Sequence, residues 1–185
     1  EAEFQDQMNT ANDFLSKLLA NEKATNQYLI SMVEDRSSLI TSQQIKNLLN
    51  INLLIDHIRA SYENVFLLVQ EKRKQRIWYG PTQRSILLHR INDATVMLKR
   101  CIQLLQTGSF NKNNWKGLTL DLRERKQDYL DYEKELMEEL ERGEMKVTSV
   151  VTYYRMAQYL DSINDDLKNI LTELSDEPIG AVNKV

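Results

Sequence analysis

Apolar residues return along this chain at steps of three and four over long stretches, the spacing that lines up one face of an α-helix. The clearest stripe is Leu48, Ile51, Ile55, Ile58, Tyr62, Val65 and Val69. It predicts a helix over 41–76 that opens on Thr41-Ser42-Gln43-Gln44, a capping-box pattern. Gly80-Pro81 breaks the chain. A helix over 82–106 follows, with Leu87, Ile91, Ala94, Leu98, Cys101 and Leu105 on its expected buried face. Thr107-Gly108-Ser109 ends it. A strongly charged helix is predicted over 113–142, stopped by Gly143. The last spans 148–174, with the stripe Tyr153, Met156, Leu160, Ile163, Leu167, Ile170 and Leu174. Ahead of all these, residues 5–37 read as a helix on helix-forming Leu, Ala, Glu and Gln. Its stripe is Leu15, Leu18, Leu19, Leu29 and Met32.

Adding 105 to each position of the 48–69 stripe reproduces the 153–174 stripe. The same shift carries Asp56 to Asp161 and Asn64 to Asn169, and residues 7–37 to 112–142. A duplicated unit explains all of these matches. The 82–106 helix has no counterpart, because its shifted position falls before residue 1. The expectation is therefore an all-α antiparallel bundle of about five long helices, built as a duplicated three-helix repeat with its first helix missing. The first, incomplete repeat covers 5–76 and the second 82–175, with a flexible tail at 176–185. Residues 1–4 (Glu-Ala-Glu-Phe) read as either a vector-derived remnant or a disordered start. The chain itself reads as a fragment of a longer protein.

Composition narrows this picture. The 185 residues are 42% apolar and 28% charged, enough to bury a core, and 5 Gly with 2 Pro leave few sharp turns. A net charge of -3 gives no basic surface for nucleic acid. Cys101 is the single cysteine, so a disulfide framework and cysteine zinc sites are excluded. No apolar run is long enough to span a bilayer and no signal peptide is visible.

The segment Glu141 to Ile170 pairs an Arg142-Gly143-Glu144 turn with a serine-opened helix carrying Leu160-Asp161-Ser162-Ile163-Asn164-Asp165-Asp166 and Asn169-Ile170. An earlier copy reads Ile55-Asp56-His57-Ile58-Arg59-Ala60 with Glu63-Asn64-Val65. Both resemble the repeats of PhoU proteins, most closely the cytoplasmic PhoU-like domain at the C-terminus of bacterial sodium/phosphate cotransporters. That resemblance implies two three-helix repeats in an antiparallel bundle, a role in regulating phosphate uptake, and divalent metal held by acids four residues apart. Asp161 and Asp165 keep this geometry, since residues i and i+4 share a helix face. In the first copy Ala60 stands where the second ligand would be.

Each candidate carries two readings. Asp161 and Asp165 are a metal pair or two solvated acids. Asn64 and Asn169 contact a polar ligand or, more simply, a neighbouring helix. His57 and His89 stand alone on separate helices and read as ordinary surface residues. Cys101 reads as core packing. Trp78, Tyr79 and Trp115 lie at helix ends, as staples or as partner anchors. Lys72, Arg73, Lys74 and Arg76 either meet the C-terminal end of a helix dipole or touch anionic lipid of the inner leaflet. The Glu138-Glu139-Leu140-Glu141 run is a solvated face. No phosphate-cradling loop, nucleophile elbow or Cys/His pair is present.

The leading expectation is a non-catalytic regulatory domain of a sodium-coupled phosphate transporter, on the cytoplasmic face of the inner membrane. Its expected partners are the transmembrane part of the same transporter and a second copy. The alternatives are a helical ligand-sensing domain of a signalling receptor and, last, a metal-dependent enzyme on a helical scaffold.

Overall fold

A computed structural model describes residues 2–34, 42–107 and 113–176, with 34, 104–105, 107, 113–123 and 175–176 described by backbone only. Among the described residues five helices follow one another: α1 (Ala2–Glu34), α2 (Ser42–Lys74), α3 (Pro81–Thr107), α4 (Asn113–Glu141) and α5 (Val147–Asp176). Among the described residues there is no strand, and the protein is an all-α bundle. Thr41, the tail 177–185 and the Trp115 side chain lie outside the described residues. The first helix differs from expectation at its start: it includes residues 2–4, and the Phe4 ring lies 4.1 Å from the Arg73 guanidinium.

α2 and α5 form the centre. They run antiparallel, with Asn50 reaching Glu173 near one end and Arg155 reaching Glu71 near the other. α1 packs on α2, while α3 and α4 pack on α5. In the α4–α5 hairpin the Tyr154 hydroxyl donates to the Glu133 carbonyl at 2.7 Å. Shifted back by 105, this pair lands on Leu49 and Tyr28, beside the contact where the Asn52 amide donates to the Glu22 carbonyl at 3.1 Å. The two hairpins thus pair in nearly the same register.

The matching stripes are not equally buried. All seven positions on α5 are 5% exposed or less. On α2 only the Ile51, Ile58 and Val65 line, which meets α5, is buried. Leu48, Ile55, Tyr62 and Val69, beside that line on the helix surface, are only half-buried, although Ile55, Tyr62 and Val69 still pack against the core. Their counterparts Tyr153, Leu160, Leu167 and Leu174 are closed over, and α3 is part of the cover: the Cys101 thiol lies 3.7 Å from the Leu167 carbonyl. Burial also pushes that thiol up to about 12.

The expected face of α3 needs correction. Leu87, Ala94 and Cys101 are buried as expected, but Ile91 and Leu98 are 41% and 38% exposed. Gln83, Arg90, Asp93 and Met97 are buried instead. The buried arc has turned toward α4 because Arg90 and Asp93 find their partners there. In α1 the expected stripe is half-buried at Leu15, Leu18, Leu19 and Met32 and buried only at Leu29, since α1 lies chiefly against one neighbour; Met8, outside that stripe, is buried as well.

Two helix ends use the same device. After α4, Gly143 takes φ 74°, Gly143 N–H donates to Leu140 and Glu144 N–H to Glu139, a Schellman closure. After α2, Arg76 N–H donates to Arg73 and Ile77 N–H to Lys72, with Arg76 itself at φ 52°. A side chain at that φ carries a steric cost that glycine lacks. Arg76→Gly is expected to raise stability by about 1 kcal/mol, read as a higher urea midpoint at unchanged slope. At the start of α3, Gly80 N–H donates to the Gln83 side chain at 2.9 Å, and Pro81 occupies the first helical position.

Candidate functional site

The densest chemistry lies where α3, α4 and α5 converge. Arg90 is only 1% exposed although it carries a full charge. Its position is set by the 87-90-94-97-101 face of α3, which inserts it between the other two helices. One Nη donates to Glu133 of α4 at 2.7 Å. The other lies in ion-pair contact with Asp161 of α5, close but not aligned as a hydrogen bond. The guanidinium sits 4.4 Å from the centre of the Tyr129 ring. Three residues on, Asp93 is buried and accepts the Tyr129 hydroxyl at 2.8 Å and an Arg125 N–H. Two cations therefore face three carboxylates.

Tyr153 roofs this cluster. Tyr79, Tyr132 and Tyr154 all meet it edge-on, with ring centres 6.4, 5.9 and 5.8 Å away. Its hydroxyl faces Arg90 without hydrogen-bond alignment, and burial pushes its ionisation far up. The same cause holds Tyr79 and Tyr129 protonated. None of these phenols is poised as a base.

Glu133 shifts upward too. Burial raises it, Arg90 pulls it down, and Asp161 pushes it up again, with a net rise from the ordinary 4.5. The folded chain then holds the Glu133 proton more tightly than the unfolded chain. Its contribution is most favourable below pH 4.5 and declines as pH rises through the raised native value. Glu133→Gln is expected to remove that decline. Urea midpoints of the two proteins, measured upward from pH 4.5, check it.

The expected metal pair is not assembled for a cation. Asp161 is occupied by Arg90, and Asp165 lies 3.5 Å from Lys126. A divalent ion would have to displace both, so these side chains do not fit one as arranged. Among the described residues, no three His, Cys, Asp or Glu side chains gather into a metal-binding group. In the first repeat Asp56 holds Arg59 at 2.7 Å, beside Ala60.

The remaining candidates scatter. Asn64 donates to the Ala60 carbonyl of its own helix at 2.9 Å. Asn169 lines an open cleft of about 260 Å³ with Asn50, Leu53 and Glu173. His57 and His89 are exposed, and His57 partly offsets the burial that raises Asp166. Tyr79 is buried under Lys72, whereas Trp78 is 80% exposed and its carbonyl accepts from Ser149 at 2.8 Å. Lys74 and Arg76 face solvent.

Arg90, Asp93, Arg125, Tyr129 and Glu133 were not legible as a group from sequence. The available signal was an arginine standing at 90 in the apolar rhythm 87-94-97-101, with Tyr129 and Glu133 four apart on an otherwise polar helix. Arranged as they are, these groups neutralise one another and lock three helices. They present neither nucleophile nor free base to a substrate. Compared with protein-family models, curated proteins and solved structures, the chain matches none.

Proposed function

We propose that this chain is a non-catalytic regulatory domain of a sodium-coupled phosphate transporter, acting from the cytoplasmic face of the membrane through its helix faces. The observation that carries the reading is the repeat: α1–α2 and α4–α5 are hairpins of like register, joined through α2 and α5, and they bear the PhoU-like segments 55–65 and 160–170. A bundle whose buried charges are committed to one another is suited to contact rather than chemistry. No helix among the described residues is long and apolar enough to cross a membrane, so the membrane-spanning part of such a transporter belongs to other segments.

The test is sodium-driven uptake of radiolabelled phosphate into vesicles holding the full-length parent protein, with and without residues 5–175. Deletion is expected to change the uptake rate, or its response to internal phosphate, by about fivefold or more. Equal uptake would overturn the regulatory role. Absence of any sodium-dependent phosphate uptake would overturn the transporter reading.

A further inference from the structure

α3 is held from one side. Among the described residues its only extensive packing is on α5, and its ion pairs reach α4 and α5, so the side turned away from both is uncovered. That outer side is apolar: Leu88 is 65% exposed, and Ile91, Val96, Leu98 and Ile102 lie between 38% and 45%. No other stretch of comparable length among the described residues exposes five large aliphatic side chains. Exposed apolar surface of this extent marks a contact site rather than ordinary solvent-facing helix.

The same side is free of acid. Arg84 and Lys99 are exposed on it, and Asp93, the one acid of α3, is buried against Arg125 and Tyr129. Every other helix presents carboxylates to solvent, and the whole chain carries a net charge of -3. An apolar and cationic face on an otherwise acidic molecule complements a surface that is itself apolar and anionic.

The width of the face decides between two such surfaces. At 100° per residue, Leu98 and Val96 stand about 160° apart around α3, with Leu88, Lys99 and Ile102 between them. A partner helix from an acidic protein would use a narrow seam. A convex side this broad, with cations set among its aliphatic groups, matches a helix half sunk in the headgroup layer of a bilayer. There the aliphatic groups enter the acyl boundary, while the longer arginine and lysine chains reach back to phosphate. Just ahead of α3 comes Trp78, 80% exposed, preceded by the solvent-facing Lys74 and Arg76. Indole rings and cations concentrate at that boundary.

We propose that the outer face of α3 docks this protein on an anionic lipid surface, with Leu88 and Ile102 entering the headgroup layer and Arg84 and Lys99 meeting lipid phosphates. The acidic remainder of the molecule is repelled by such a surface, so α3 is the side it turns toward the membrane. This inference stands on the surface of α3 and does not depend on the transport reading.

Co-sedimentation of the full chain with vesicles tests it. The expected result is binding to phosphatidylcholine vesicles containing about 30% phosphatidylglycerol and at least about tenfold weaker binding to phosphatidylcholine alone. Binding should be lost as salt rises from about 0.1 to about 0.5 M. Lys99→Glu and Leu88→Ser should each weaken it at least about fivefold, while Phe14→Ser, as exposed on α1, should not. Circular dichroism verifies the fold of each variant. A second measurement needs no loss of binding: an environment-sensitive dye on Leu88→Cys should brighten on the anionic vesicles, and the same dye on Phe14→Cys should not. Cys101 is buried and stays unlabelled. No binding to anionic vesicles overturns the proposal. So does equal binding to both kinds of vesicle, binding untouched by both substitutions, or a dye that brightens on Phe14→Cys and not on Leu88→Cys. A dye on Leu88→Cys that ignores vesicles but responds to a synthetic amphipathic helix of Leu and Glu would assign the face to an acidic protein partner, and overturns it too.

Discussion

Arg90→Met should cost about 3 kcal/mol of stability and lower the melting temperature by about 6–12 °C. Methionine fills much of the space of the arginine stem, so the loss is chiefly electrostatic. Removing the guanidinium leaves Glu133 and Asp161 facing each other with their shared cation gone. Glu133 is already raised by burial and by Asp161, and it would take up a proton more readily still. The variant should therefore recover part of its loss on acidification, which a simple packing defect would not do. Asp161 keeps some access to water, which holds the cost near the lower end for a broken buried pair. A double variant, Arg90→Met with Glu133→Leu, should regain more than half of the loss, because an apolar pair leaves less charge uncompensated. Thermal melts of the three proteins at neutral and mildly acidic pH check these outcomes. An unchanged melting temperature for Arg90→Met would show that the cluster contributes nothing to the fold.

The second large effect separates the two repeats. Leu160→Ala on α5 should cost about 3 kcal/mol, since Leu160 is fully buried and its cavity cannot collapse between packed helices. Ile55→Ala on α2, the equivalent position, should cost about 1 kcal/mol in dilute solution, because half-exposed atoms give up less on truncation. Urea unfolding at low protein concentration measures both. Equal costs would mean that α2's open line is covered by something as effective as α3.

Much of the architecture could be read from periodicity. Long stripes without competing turn signals placed all five helices, and their ends shifted by only a few residues. The seven α5 positions were readable because three neighbouring helices cover that helix, so every apolar residue on the stripe is used. α3 was misread at Ile91 and Leu98 because its buried face is decided by Arg90 and Asp93. Periodicity counts only apolar residues and gives a charged one no weight. The charge cluster itself stayed hidden for a related reason. Its members come from three helices, and sequence separation says nothing about which charges will meet across a bundle. The spacing of Asp161 to Asp165 is a local relation and points to a metal pair, whereas the partner of Asp161 in the fold lies 71 positions upstream on α3.

α1 has α2 as its extensive packing partner, whereas α5 is held by α2, α3 and α4. This difference predicts an order of opening under native conditions. α1 can detach as a cooperative unit by giving up one helix contact, with a free energy well below that of global unfolding. Its amides should exchange with deuterated solvent long before those of α5, at a rate set by how often α1 lifts away. Each such opening uncovers the buried Ile45 and Asn52 side of α2 as well as its half-open line. The central helix of the first repeat, still held by α5, then shows its whole α1-facing side, and it is in that transient state that the chain is most exposed to proteases and to mispairing with other copies of itself.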